Sequence, residues 1–147
     1  MNRISEHRIL METACLWSKR GTCSRLRVGA VLARNGRIIA TGYNGNVSGA
    51  DHCVHTTNDP CETAVHAEEN VLYFAARHGT KTEGADLYVT HNPCYRCARG
   101  LVNAGIARVI YLNEYRDTGG VQLLVDSGIR VFRDEGVMLV DWENLET

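Results

Sequence analysis

The amino-acid sequence predicts an α/β fold in three layers, with helices on both faces of a mixed sheet of about five strands, in a single domain over residues 1–147. Two observations carry the prediction. From about residue 63 onward, strand-like apolar runs alternate with helical patterns, which calls for parallel strands with helices packed on the sheet faces. Before that, two short apolar runs flank Asn35-Gly36, a strong antiparallel-hairpin signal because both residues accept positive φ.

The elements follow in chain order. Residues 3 to about 20 place Ile4, Ile9, Leu10, Ala14, Leu16 and Trp17 at roughly helical spacing. "VGAVLARNGRIIATGY" supplies the hairpin. Gly42, Gly45 and Gly49 then open a loop that continues through Pro60, and long loops in compact domains tend to be functional. "ETAVHAEENVLYFAARHG" reads as a helix from Glu62 or Thr63 to about Arg77, closed by Gly79, with Val65, Leu72, Ala75 and Ala76 as its buried stripe. "ADLYVTH" is a strand, and Cys94 to about Ala104 a helix ending at Gly105. "ARVIYL" is a strand, "TGGVQLLVDSG" a helix and "IRVF" a last strand. No internal repeat, linker or low-complexity tract interrupts the pattern.

Apolar content of 44% and charged content of 22% are those of an ordinary globular chain. No apolar run is long enough to cross a bilayer, and the first residues carry charges throughout, so neither a signal peptide nor a membrane span is expected. A cytoplasmic location without membrane partners follows. A net charge of −1 argues against nucleic acid held through phosphate contacts alone. Residues 1–49 nevertheless carry eight Lys or Arg against only Glu6 and Glu12, enough for one phosphate group. In a cytosolic chain the six cysteines point to metal before disulfides.

Chemistry concentrates in two stretches, "TAVHAEEN" and "HNPCYRCARG". Each lies at the start of an expected helix. Cys94 and Cys97 share one side of a first turn, where free N–H groups and the helix dipole favour thiolates. His66 supplies a third ligand, and a His-Cys-Cys set leaves open the fourth tetrahedral position that distinguishes catalytic zinc from structural zinc. Glu68 is superfluous as a ligand beside two thiolates and an imidazole. Near a zinc-bound water it takes up a proton and hands it on. The combination is the H-x-E…P-C-x-x-C signature of zinc deaminases. The expected reaction is hydrolytic attack at C4 of a cytosine ring, with protons delivered to N3 and to the departing amine.

Longer stretches narrow the reading. "CSRLRVGAVLARNGRIIATGYNG", "HAEENVLYFAARHG", "EGADLYVTHNPCYRCARGLVNAGIARVIY" and the terminal "VDWENL" resemble deoxycytidylate (dCMP) deaminases, most closely their bacteriophage branch. The resemblance implies a cytidine-deaminase-like fold and conversion of dCMP to dUMP and ammonia, feeding dTMP synthesis. A phage-encoded chain would work in the host cytoplasm. It makes His66, Cys94 and Cys97 zinc ligands and Glu68 the proton shuttle. It places Asn44 at the deoxyribose, Ala67 and Tyr115 in the substrate pocket, and Arg25 and Arg27 at the 5′-phosphate, a task suited to bidentate guanidinium groups.

Such enzymes are typically hexamers, activated by dCTP and inhibited by dTTP, the triphosphate arriving with Mg2+. The resemblance then makes Gly42, Tyr43, Gly45, Phe74 and Arg77 candidates for the effector site and subunit interface. In the loop, His52, Cys53, His55 and Cys61 are spaced for a second, structural zinc, as some family members hold in this region.

Two departures bear on specificity. His91-Asn92 stands before the Pro-Cys pair where the family commonly has Ser or Phe, which leaves a 5-methyl or 5-hydroxymethyl dCMP as an alternative substrate. Glu69 occupies a position that is apolar in many members. A tRNA or single-stranded DNA deaminase would want a broader basic surface, and a non-catalytic zinc module would have no use for Glu68.

Overall fold

The computed structural model describes residues 3–134. Helix α1 spans Glu6–Ser18, its first turn capped by Ser5, whose hydroxyl accepts from the Arg8 amide. Strands β1 (Gly29–Arg34) and β2 (Arg37–Tyr43) form the expected hairpin, with Asn35 and Gly36 at φ 51° and 74° in the tight turn. There follow α2 (Ala67–Arg77), β3 (Asp86–His91), α3 (Tyr95–Asn103), β4 (Arg108–Asn113), α4 (Gly119–Asp126) and β5 (Arg130–Arg133). The terminal "VDWENL" stretch lies outside the described residues. Among those residues no helix is long and apolar enough to cross a membrane.

The sheet runs β2-β1-β3-β4-β5. It is mixed: β1 is antiparallel to β2 and β3, while β3, β4 and β5 are parallel. Alternation along the strands divides the core. Leu32, Leu87, Val89 and Val109 face one side, under Val71 and Ala75 of α2, Leu101 of α3 and Leu124 of α4. Val31, Ala33, Tyr88 and Ile110 face the other, under Leu10, Met11 and Ala14 of α1. Period-two strands between amphipathic helices thus give the three layers.

Both site-bearing helices begin later than expected. Val65 is not helical: its N–H and C=O bond Gly45 at 2.8 and 3.1 Å in an isolated bridge that holds it extended. His66 remains extended (φ −72°, ψ 154°) as the cap of α2, and its amide donates to the Glu69 carboxylate at 3.4 Å. The buried stripe is accordingly Ala67, Glu68, Val71 and Ala75, with Ala76 exposed. Cys94 is likewise the cap of α3 and not its first residue.

The topology gathers one edge of the sheet into a site. The exit of β2, the start of antiparallel β1 and the exits of β3 and β4 all open there. Carboxyl ends of parallel strands are where open α/β sheets form crevices. Close approach brings the helices in: a Cβ on Gly42 would stand 2.7 Å from the Ala67 carbonyl, and one on Gly120 2.1 Å from the Pro93 carbonyl.

Candidate active site

His66 Nδ1 lies 3.3 Å from Cys97 Sγ and 3.5 Å from Cys94 Sγ. A tetrahedral zinc with bonds of about 2.0 Å to nitrogen and 2.3 Å to sulfur sets those atoms about 3.5 Å apart. The three donors therefore have the spacing of one metal's ligands, and their liganding atoms all lie within 4.8 Å of one another. The Cys94 thiol is held down to about 4, chiefly by a hydrogen bond from Cys97, with His66 adding to it. Cys97 is pushed up by the neighbouring Cys94 and by burial. His66 is raised by its bond to Cys94. Such mutual dependence is what a divalent ion resolves, since it favours thiolates and neutral imidazole together.

Glu68 lies on the first turn of α2, 5% exposed. Burial pushes its carboxyl up to about 7, opposed by His66 and by a hydrogen bond from Cys97. The carboxylate is thus in reach of a metal ligand while remaining a proton-exchanging group poised near neutrality.

His66, Glu68 and Cys94 line a cleft together with Val28, Asn44 and Ala67. The Asn44 side chain is engaged with the backbone: Oδ1 accepts from the Val28 amide at 2.8 Å and Nδ2 donates to the Leu26 carbonyl at 2.7 Å. It holds one wall in shape. Arg25 and Tyr115 cross the mouth, where Arg25 Nη1 donates to the Tyr115 hydroxyl at 3.2 Å and Nε to the Asn58 carbonyl at 3.2 Å. Arg27 is exposed and stands outside the cleft lining.

The sequence profile of the cytidine and deoxycytidylate deaminase zinc-binding region matches residues 4–113. The chain belongs to this deaminase family. It is 38% identical to ComE operon protein 2 of Bacillus subtilis, over 99% of this chain and 80% of that one. It is 32% identical to the deoxycytidylate deaminase of Enterobacteria phage T2, over 92% and 94% of the two chains. The dCMP deaminase of cyanophage S-TIM5, solved in complex with dCMP and dUMP, superposes with a TM-score of 0.84 at 34% identity, covering 91% of this chain and all of that one.

Against this deaminase frame, several residues stand where the linear sequence did not put them. Cys23 also lines the cleft, and no local motif reveals it; His91, which the sequence singled out together with Asn92, lines it as well. Glu69 has three partners: the His66 amide, Arg96 Nη2 at 3.2 Å and the Tyr73 hydroxyl at 3.1 Å. It braces the cap that presents His66, which accounts for a carboxylate at a position often apolar in the family.

The second group of metal-type donors differs from the expected one. Cys23, Cys53, His55 and Cys61 converge within 4.8 Å, and His52 is not among them. His52 lines a different cleft, and Cys23 takes its place because the turn before β1 lies against the 52–61 loop. Cys23 Sγ is 3.3 Å from His55 Nε2. Cys53 is pushed up to about 11 by burial and by its bonds to Cys23 and Cys61. Burial would raise Cys61 too, but the Ala64 and Thr63 amides outweigh it and hold the thiol at about 6.

Gly42, Tyr43, Gly45, Phe74 and Arg77 all line one further cleft, beside the glycine-bearing loop. Phe74 is 47% exposed and stacks on His78 with ring centroids 4.1 Å apart, so it is no core residue.

Proposed function

We propose that the chain is a zinc-dependent hydrolase converting dCMP to dUMP and ammonia, one deaminase domain over its full length. The observation that carries this reading is a buried Glu68 beside the converging His66, Cys94 and Cys97, in a cleft whose mouth is crossed by Arg25 and Tyr115. The similarity to the deoxycytidylate deaminase of phage T2 and to the dCMP deaminase of cyanophage S-TIM5 supports it.

His66, Cys94 and Cys97 would hold the zinc, which when bound supplies a Lewis acid that lowers the pKa of a water. Glu68 would take one proton from that water and pass it to N3 of the cytosine as the water's oxygen bonds C4. It would then take the proton left on that oxygen and hand it to the 4-amino group, so that the C4–N bond breaks and ammonia departs. Its proton affinity, near neutrality without metal, falls beside a divalent cation, so that it begins as a base and ends as an acid. Ala67, small and buried beside Glu68, leaves room for the ring. Arg25 takes the 5′-phosphate with the Tyr115 hydroxyl, Arg27 adds charge from outside the cleft, and Asn44 shapes the deoxyribose wall.

The further cleft is the place for dCTP or dTTP with Mg2+. Its lining offers backbone amides of the glycine loop but, among the described residues, only Arg77 and His52 as potential cations. A triphosphate needs more positive charge, which a neighbouring copy in a homo-oligomer, a hexamer on the family pattern, would bring. Cys23, Cys53, His55 and Cys61 hold a structural zinc. The location is cytoplasmic.

The test is ammonia release by zinc-replete protein offered dCMP, 5-methyl-dCMP, 5-hydroxymethyl-dCMP, dCTP and deoxycytidine, with and without added dCTP or dTTP. Preference for dCMP is expected. Turnover confined to 5-substituted monophosphates would shift the substrate, and silence on every mononucleotide would sink the reading in favour of tRNA or single-stranded DNA.

A further inference from the structure

Asn92 sits between β3 and the Pro93–Cys94 turn, lines the active-site cleft and is 5% exposed. Its side chain is committed to the segment that follows β4. Nδ2 donates to the Asp117 carbonyl at 3.0 Å, and Oδ1 accepts the Tyr115 amide proton. Its own amide donates to the Asn113 carbonyl at 3.1 Å. From the other end, the Asp117 carboxylate accepts the amides of Gly119 at 2.9 Å and Tyr95 at 3.3 Å, tying the same segment to the first residue of α3. Residues 113–117 are thus a strap pinned at both ends, with Tyr115 at its middle. The Tyr115 hydroxyl in turn accepts from Arg25.

We propose that Asn92 is a positioning residue for recognition of the nucleotide phosphate: it holds the strap, the strap sets the Tyr115 hydroxyl, and that hydroxyl sets Arg25 at the cleft mouth. The proposal rests on the dCMP reading above and assigns Asn92 to the phosphate end of the substrate, not to the cytosine 5-position. Bonds through both Nδ2 and Oδ1 fix the plane of the amide and tie its orientation to residues 115–117. Truncating Asn92 takes the hydrogen-bond partner from both the Tyr115 N–H and the Asp117 carbonyl, and the strap loosens.

The test compares Asn92→Ala, Asn92→Asp and Tyr115→Phe with wild type. The measurements are KM and kcat on dCMP and on deoxycytidine, zinc content, and hydrogen exchange of the 113–117 amides. For Asn92→Ala, KM for dCMP should rise about tenfold while kcat stays within about twofold, and deoxycytidine turnover and zinc content should hold. Exchange at Tyr115 should accelerate about tenfold, since a lost buried bond opens the amide locally. Asn92→Asp keeps the acceptor for the Tyr115 amide and loses the donor, so it should fall between wild type and alanine. Added to Tyr115→Phe, Asn92→Ala should raise KM little further, because both act through one hydroxyl. Equal losses on dCMP and deoxycytidine, loss of zinc, or unchanged KM and exchange would each overturn the proposal. A wild type that does not discriminate between the two substrates would instead overturn the phosphate reading, with exchange alone then judging whether Asn92 holds the strap.

Discussion

Glu68 shows how much one side chain owes to its surroundings. Glu68→Gln keeps the shape and removes the proton carrier, so zinc content should be unchanged while kcat on dCMP falls by about 10²–10⁴, read by ammonia release against metal analysis. The metal-free protein exposes the same carboxyl to a second measurement. Its affinity for a proton is raised from about 4.5 to about 7 on folding, so the folded state binds the proton more tightly than the unfolded chain. That stabilisation is complete below about pH 4.5 and disappears as pH rises through about 7. Chelated wild type should therefore lose on the order of 3 kcal/mol across that window relative to chelated Glu68→Gln, measured by urea unfolding at a series of pH values. A parallel loss in both proteins would show that Glu68 is not the group responsible.

Elements were legible wherever the signal was local. Asn35-Gly36 specified the hairpin by itself, and His66, Glu68, Cys94 and Cys97 were readable because each pair lies within one turn of chain. The start of α2 was not readable, since it is decided by a bridge from Val65 to Gly45, 20 residues away in sequence. Cys23 escaped for the same reason: its partner His55 is 32 residues distant, and only the finished fold makes them neighbours. Glycines at close approaches are the complementary case, where a missing side chain carries the information. A Cβ at Gly120 would stand 2.1 Å from the Pro93 carbonyl, with Cys94 backbone atoms at 2.6 Å. Gly120→Ala should thus push α4 off the ligand-bearing turn, destabilise by about 1–3 kcal/mol and weaken zinc retention in a chelator competition. Gly128 sits at φ 84°, so Gly128→Ala strains the backbone, but the added carbon meets no neighbour and zinc retention should stay intact.

For the molecule as a whole, the two donor groups share a boundary, because Cys23 and Cys61 also line the active-site cleft. Metal analysis should find two zinc ions per chain in wild type and one in Cys53→Ser, with the His66 site still filled. Cys53 is the fitting choice because it belongs to the second group without lining the cleft. One ion in wild type would dismiss the structural zinc and leave these thiols as a hydrogen-bonded cluster.

His66 and Cys94 are 28 positions apart, with the whole of α2 and β3 between them. An ion that joins them is also a cross-link, closing a long loop and denying the unfolded chain most of its extended conformations. By the chain-entropy arithmetic used for disulfides, a loop of that length is worth about 3–4 kcal/mol. For a chain of this size that corresponds to roughly 10 °C in the unfolding midpoint. Chelation would therefore withdraw a clasp as well as a reagent, and the chelated protein should unfold at a lower temperature than the zinc-loaded one.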